Sequence, residues 1–494
     1  MINISNQFDR LSCIGALLAG SVLAGLSACA AGPQFERPQA PAVDRYTHDR
    51  TAALKAHAEI ASQKIIFDQE PPAEWWQLFQ SEELDRLIET AIVNNQTLIA
   101  AQAAVKQAQA LTEASTGLRY PEVVLDASTG RQKYGKQFLG PLASPPPFSY
   151  FAVGPAVSYT LDYTGGAAKS IEQQQALREY RQWQLQAARL AVAGNVVIQV
   201  LEIASHQAQI ATLEELLADD QRNVAMVQDA FDAGAVSRVD LLSAQSQQAS
   251  DATLMPSLRQ QLSTARHALA VLCGTIPAML TVAEFHLATF TLPQELPVTL
   301  PSELVHSRPD ILAAEAELHA ATAAVGIAEA NLYPRITLSA SYSHQALDAN
   351  ELFNASNRAW GVISGLTAPL FDGGRLRAEK RAAVAALGIR AARYQQVVLE
   401  SFGQVADALT AIQHGAEQLA AQSQALAVAR ENLDLTRESY SEGSVGVLQV
   451  LDSERLYQQA RLGYVRAQAQ RLKDTARLFA ALGGGVVNAT SAAE

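Results

Sequence analysis

Tyr333-Pro-Arg-Ile-Thr-Leu-Ser-Ala-Ser-Tyr-Ser-His344 interrupts a chain that otherwise reads as long helices. Ile336, Leu338, Ala340 and Tyr342 alternate with Thr337, Ser339, Ser341 and Ser343. A period of two suits a strand and not a helix. Tyr120-Pro121 opens an equivalent stretch, where Val123, Leu125 and Ala127 alternate with Val124, Asp126 and Ser128. Two more follow. Phe151, Val153, Val157, Tyr159 and Leu161 alternate with Ala152, Gly154, Ala156, Ser158, Thr160 and Asp162; Trp360, Val362, Leu366, Ala368 and Leu370 alternate with Gly361, Ile363, Gly365 and Thr367. The spacing predicts strands at about 121–132, 149–162, 334–344 and 358–370. Each is about ten residues, the length of a tilted membrane strand, with one apolar face and one small or polar face.

Helical periodicity surrounds these hairpins. Trp75, Trp76 and Phe79 anchor a first helix, and its pattern continues through Asn94-Asn95-Gln96 to Leu118. From Ala167 to Ala230, and again from Arg375 to Glu438, the chain stays helical without a proline. At about 1.5 Å per residue the second of these spans roughly 95 Å. Its frequent Gln, Glu and Arg exclude it from lipid, so it must stand in water beside similar helices. Each long helix ends in the same turn. Phe231-Asp-Ala-Gly-Ala-Val-Ser-Arg-Val-Asp-Leu-Leu242 matches Tyr440-Ser-Glu-Gly-Ser-Val-Gly-Val-Leu-Gln-Val-Leu451, with glycine where a helix stops. A kink is expected at Met255-Pro256, and Leu292-Pro293, Leu296-Pro297 and Leu300-Pro301 read as a linker over 292–307. The halves 72–291 and 308–485 thus repeat one programme, with 486–494 a loose tail. The repeat is far too long for a solenoid unit, so it is an internal duplication. Arg308-Pro309-Asp310 reads as structural, with proline in the first turn of a helix and a carboxylate near its dipole.

Four strands cannot close a barrel, and unpaired edges cannot lie in a bilayer. Closure therefore requires several copies of the chain. Polar strand faces would line the lumen, and the helices would continue the tube into water.

The 494 residues are 49% hydrophobic but only 6% aromatic, and the formal net charge is -12. An acidic chain with scattered basic residues is repelled by phosphate, so no nucleic-acid partner is expected. Of three cysteines only Cys273 lies in the body, where a lone thiol packs as a small hydrophobe. No metal, cofactor or catalytic motif is found, so no enzyme activity is expected. Residues 1–28 read as a secretory signal. Leu26-Ser27-Ala28-Cys29 resembles a bacterial lipobox, which implies a covalent lipid on Cys29, and Ala30 in the next position implies delivery to the outer membrane. Residues 29–71 then form an extended anchor segment.

The ordered set of lipobox, Trp75-Trp-x-x-Phe79, Tyr-Pro before each hairpin, Leu161-Asp-Tyr163, Arg308-Pro-Asp-Ile311, Pro369-Leu-Phe-Asp-Gly-Gly374 and the two turns resembles the TolC-like outer-membrane efflux proteins, lipoprotein branch (NodT/OprM type). That resemblance implies a mixed α/β membrane protein. Three chains would close one β-barrel, four strands per chain, continued by a long periplasmic α-helical barrel. It further implies an exit duct for drugs or other small toxic compounds, lipid-anchored in the outer membrane and joined by a periplasmic adaptor to an inner-membrane RND transporter. The periplasmic gate would lie at Leu448 and Asp452, which are four apart on one helix face. Three carboxylates brought together there would raise one another's pKa. The adaptor would dock at the tips Gly234, Ala235, Val236 and Ser237, and Gly443, Ser444, Val445 and Gly446. Gln449 departs from the acidic residue frequent in the family. Two other readings are the outer duct of a metal-efflux or type I secretion system, and a non-channel periplasmic helical scaffold, which the four strands argue against.

Overall fold

The structure is a computed structural model that describes residues 32–47, 63–134, 146–281 and 283–484. The expected signal over 1–28, the lipid site Cys29 and the tail 486–494 lie outside the described residues. In chain order the elements are β1 (Lys64–Phe67), a 3-10 turn (Trp75–Phe79), α1 (Glu82–Asn94), α2 (Gln96–Thr116), β2 (Glu122–Gln132), β3 (Phe148–Leu161) and α3 (Gly166–Asp232). Next come α4 (Arg238–Ala252), α5 (Leu254–Leu272), β4 (Glu295–Val298), α6 (Pro301–Ser307), α7 (Pro309–Ala330), β5 (Arg335–Ala346), β6 (Arg358–Thr367), α8 (Arg375–Ser441) and α9 (Val447–Ala481). The duplication is exact in its longest parts, since α3 and α8 are each 67 residues. Both helices open on an aspartate that accepts backbone N–H bonds. Asp162 takes those of Ala167 and Ala168 at 2.9 and 2.8 Å, and Asp372 those of Gly374 and Leu376, both at 2.8 Å.

The chain divides into two compact units. The first holds the described residues up to Arg37, together with Lys106–Glu179 and Glu315–Arg393. Its centre is an antiparallel sheet in the order β2-β3-β5-β6, in which the two hairpins join through β3 and β5. Register aligns the alternation across all four strands. Val123, Val157, Ala340 and Val362 form one apolar row, and Leu161, Ile336 and Leu366 another. The opposite face carries Ser158 and Ser339, then Thr160, Thr337 and Gly365. Gly154 permits the close approach of β5, because a Cβ there would collide with the Tyr342 carbonyl and Ser343. The Tyr163 hydroxyl donates to the Pro334 carbonyl, tying the end of one hairpin to the start of the other.

The second unit holds Pro38–Val105, Tyr180–Ala314 and the described residues from Tyr394 onward. Trp75 and Phe79 are sealed in its core, and Trp75 stacks on Phe479 with ring centroids 5.6 Å apart. Around them pack Leu84, Ile88, Val196, Leu201 and Ile412. The most apolar run of α3 is long enough to cross a membrane, yet half of it is buried in protein.

Three expectations need correction. The helix over Asn94-Asn95-Gln96 is broken at Asn95, whose Oδ1 accepts from the backbone N–H of Thr97 at 2.9 Å while its Nδ2 donates to the Leu272 carbonyl. A side chain that caps and crosslinks outweighs helix continuity there. The interruption near Pro256 falls at Thr253, because proline is tolerated in the first turn of α5. Residues 292–307 are not a plain linker. They supply β4, which pairs in parallel with β1 of the anchor segment, and α6, which starts at Pro301. Pro297 sits within β4, which is tolerated on the edge of a two-stranded sheet.

Candidate functional site

Among the described residues the sheet of the first unit ends in the edge strands β2 and β6, whose outer sides are unpaired. Leu125, Trp360, Val362 and Leu366 are exposed on its apolar face. An open edge beside an exposed apolar face is unstable in water, and its backbone groups need partners in lipid. The described chain begins against this unit. Gly32, with φ +99, packs directly on the backbone of Gly326. Phe35 stacks on His319 at 4.4 Å, and Arg37 Nε meets Glu315 Oε1 at 2.7 Å. The segment therefore runs antiparallel to α7, and Gly32 lies at the end of α7 that leads into β5. Periodicity has no signal for this strap, because its contacts rest on two glycines, one ring pair and one ion pair.

The two turns have the same backbone. Gly234 and Gly443 both have φ +74, a conformation glycine adopts without cost. Gly234 N–H donates to Phe231 O and Ala235 N–H to Ala230 O; Gly443 N–H donates to Tyr440 O and Ser444 N–H to Ser439 O. Gly234, Ala235, Ser237, Gly443, Ser444 and Gly446 are exposed, while Val236 and Val445 are half-buried. Val236 leans on a small cluster formed by Val227, Leu241 and Ala244 of the first hairpin and Val447 of the second. The tips are therefore packed together, which their similarity alone did not reveal.

The helices that leave the tips differ. Ser237 caps α4 through a reciprocal capping box with Asp240, whereas α9 starts from Gly446 with no side-chain cap. Ser237-x-x-Asp240 was readable in sequence as a helix-start signature, and Gly446-x-x-Gln449 as its absence. The bonds from Ser237 hold Asp240 below the usual carboxylate range. Leu448 and Asp452 lie on the first turns of this uncapped helix, and both are exposed. Asp452 Oδ1 accepts from Arg455 at 2.8 Å within the protomer. A stronger pair follows it. Glu454 is 2% exposed and bridges both hairpins, accepting from Arg437 at 2.7 Å and from Asn223.

Among the described residues no group of three or more His, Cys, Asp or Glu side chains is placed to hold a metal ion. Cys273 is buried, which pushes its thiol up and leaves it inert.

Comparison with known proteins agrees with this geometry. The outer membrane efflux protein family matches residues 87–275 and 300–484, and each segment contains one strand hairpin and one tip. The chain is 33% identical over 419 residues to the pyoverdine export outer membrane protein OpmQ of Pseudomonas aeruginosa, covering 83% of this chain and 87% of that one. It is 28% identical to the cation efflux system protein CusC of Escherichia coli, covering 95% and 99%. Among solved structures the outer-membrane channel OprN aligns with a TM-score of 0.84 at 26% identity, covering 92% of this chain and 99% of that one. The chain belongs to the outer membrane efflux protein family, and its fold is that of the TolC-like outer-membrane channels.

Proposed function

We propose that three copies of this chain close one barrel through the edges of β2 and β6 and form the outer-membrane exit duct of a tripartite efflux pump. The observation that carries this reading is the four-stranded sheet, apolar across one face and open at both edges. In the closed ring every edge is paired, the apolar rows meet lipid, and the serine and threonine rows line a wet lumen. The duct is passive. Compounds reach it from an inner-membrane RND transporter through a periplasmic adaptor, which docks end-on at the exposed small residues of the tips. Leu448 and Asp452 form the periplasmic constriction, as three copies converge there. A covalent lipid on Cys29 holds the chain in the outer membrane, a reading supported by the strap that brings Gly32 to the strand end of α7. Relatives named for pyoverdine export and for cation efflux support a duct whose cargo is chosen by its inner-membrane partner. Native mass spectrometry of the detergent-extracted protein tests the assembly: three chains per particle are expected, and a stable single chain would overturn the reading.

A further inference from the structure

Four helices bring their charged groups together around Asp220, a few turns before the first tip. Asp220 is 6% exposed, and its Oδ2 is buried without a hydrogen-bond partner among the described residues. The charges that act on it are Asp219 on α3 itself, Asp251 on α4 and Glu454 on α9, and the cations paired with carboxylates of this stretch are Arg222 on α3, Arg437 on α8 and Arg461 on α9. Each cation is already held by a different carboxylate. Arg222 goes to Asp219, Arg461 to Glu215, and Arg437 to Glu454. The neutral donors are committed as well: Asn223 to Glu454, Gln458 to Asp219 at 3.4 Å, and Gln247 to Asp251 at 2.8 Å. The Oε1 of Gln458, itself 2% exposed, is a second buried acceptor with no donor. A buried carboxylate left so is costly. Among the described residues no donor reaches Asp220 Oδ2, and a proton of its own, directed at the Asp251 carboxylate, would satisfy it.

We propose that Asp220 and Asp251 share one proton that clasps α3 to α4, and that losing it loosens the hairpin arm packed against α9. The clasp itself stands on the packing within this unit. Only its consequence, easier opening at Leu448 and Asp452, rests on the duct reading. Two neighbouring carboxylates cannot both ionise without repulsion, which favours a proton on the buried one. Burial first, then the charges of Asp251, Glu454 and Asp219, push Asp220 up to about 7. The folded arm holds a proton that the unfolded chain gives up near pH 4, so the arm is at full stability below about pH 4. Stability falls as pH rises to about 7 and is constant above it. The loosening reaches α9 because Asn223 bridges to Glu454 and Val227 shares a cluster with Val447.

Hydrogen–deuterium exchange of the assembled full-length protein tests this, with protection factors corrected for the intrinsic pH dependence of exchange. Between about pH 5 and about pH 8, protection over residues 216–224 and 247–255 is expected to fall about tenfold relative to the core stretch 196–204. Asp220→Asn, which keeps the shape and cannot ionise, should hold protection constant across that range, and Asp251→Asn, which removes one of the charges on Asp220, should lessen the fall. Equal protection at both pH values in the unmodified protein, or an undiminished fall in Asp220→Asn, would overturn the proposal. This readout needs no conduction, so a protein that fails to conduct but shows the pH-dependent exchange refutes the duct and leaves the clasp standing.

Discussion

Arg308 Nη1 donates to the carbonyl oxygen of Ala481 at 2.7 Å, which ties the residue that opens the second repeat to the last turn of the final helix. The same guanidinium reaches Gln404 and pairs with Asp310 at 2.8 Å, so one buried side chain joins the start of α7 to both α8 and α9. Pro309 and Asp310 do serve the helix start, as their order suggests. The arginine has a larger role, which its partners, remote in sequence, concealed.

Arg308→Ala is therefore expected to destabilise the second unit by about 3–5 kcal/mol, because it leaves buried acceptors and Asp310 without their donor. Arg308→Lys should recover only part of this, since an ammonium cannot reproduce the planar fork. The urea midpoint of the detergent-solubilised protein, followed by circular dichroism, checks both.

The N-terminal strap offers a second test. Gly32 has a positive φ, and any Cβ there would collide with the Gly326 backbone. Gly32→Val should free the strap while leaving the sheet intact. Limited proteolysis would then cut within residues 32–37 at a rate at least about tenfold above the unmodified protein. Phe35→Ala, which removes one ring stack worth about 1 kcal/mol, should give an intermediate rate.

What could be read from sequence divides along physical lines. The four strands were legible because alternation over about ten residues is a strong local signal. The 67-residue helices were legible because no proline interrupts them. The pairing of β1 with β4 was not, since each is four residues long and their union is long-range. Asn95 breaks a helix through side-chain bonds that periodicity does not register, and the break at Thr253 precedes the proline that prompted it by three residues. The equivalence of the tips was plain, but the cluster of Val227 with Val447 and the meeting of Asp220 with Asp251 exist only once the arms pack.

Adaptor docking is best probed where the tip is open. Val236 packs into the tip cluster, so a charge there would damage the hairpin itself. Ala235 and Ser444 are exposed on the two turns. Ala235→Arg combined with Ser444→Arg should abolish co-purification of the adaptor and export in cells, while the number of chains per particle is unchanged. Normal export by this variant would remove the tips from the docking surface.

The difference between the two helix starts predicts a change in the opposite direction. Gly446→Ser with Gln449→Asp would build on α9 the capping box that Ser237 and Asp240 make on α4. The first turn, which carries Leu448 and leads to Asp452, should then be firmer by about 0.5–1 kcal/mol. Slower amide exchange over residues 447–452 is the expected readout, and an unchanged rate would show that the missing cap does not set the mobility of this turn.

Single-channel recording in a planar bilayer tests directly whether the assembled chains form a conduit constricted at Leu448 and Asp452. The unmodified protein should insert and conduct in small, uniform steps, and Asp452→Ala should conduct several-fold more, as a charged ring at the narrow end is removed. Protein that inserts as three chains yet conducts nothing would contradict the conduit, and equal conductance of the two forms would contradict the constriction.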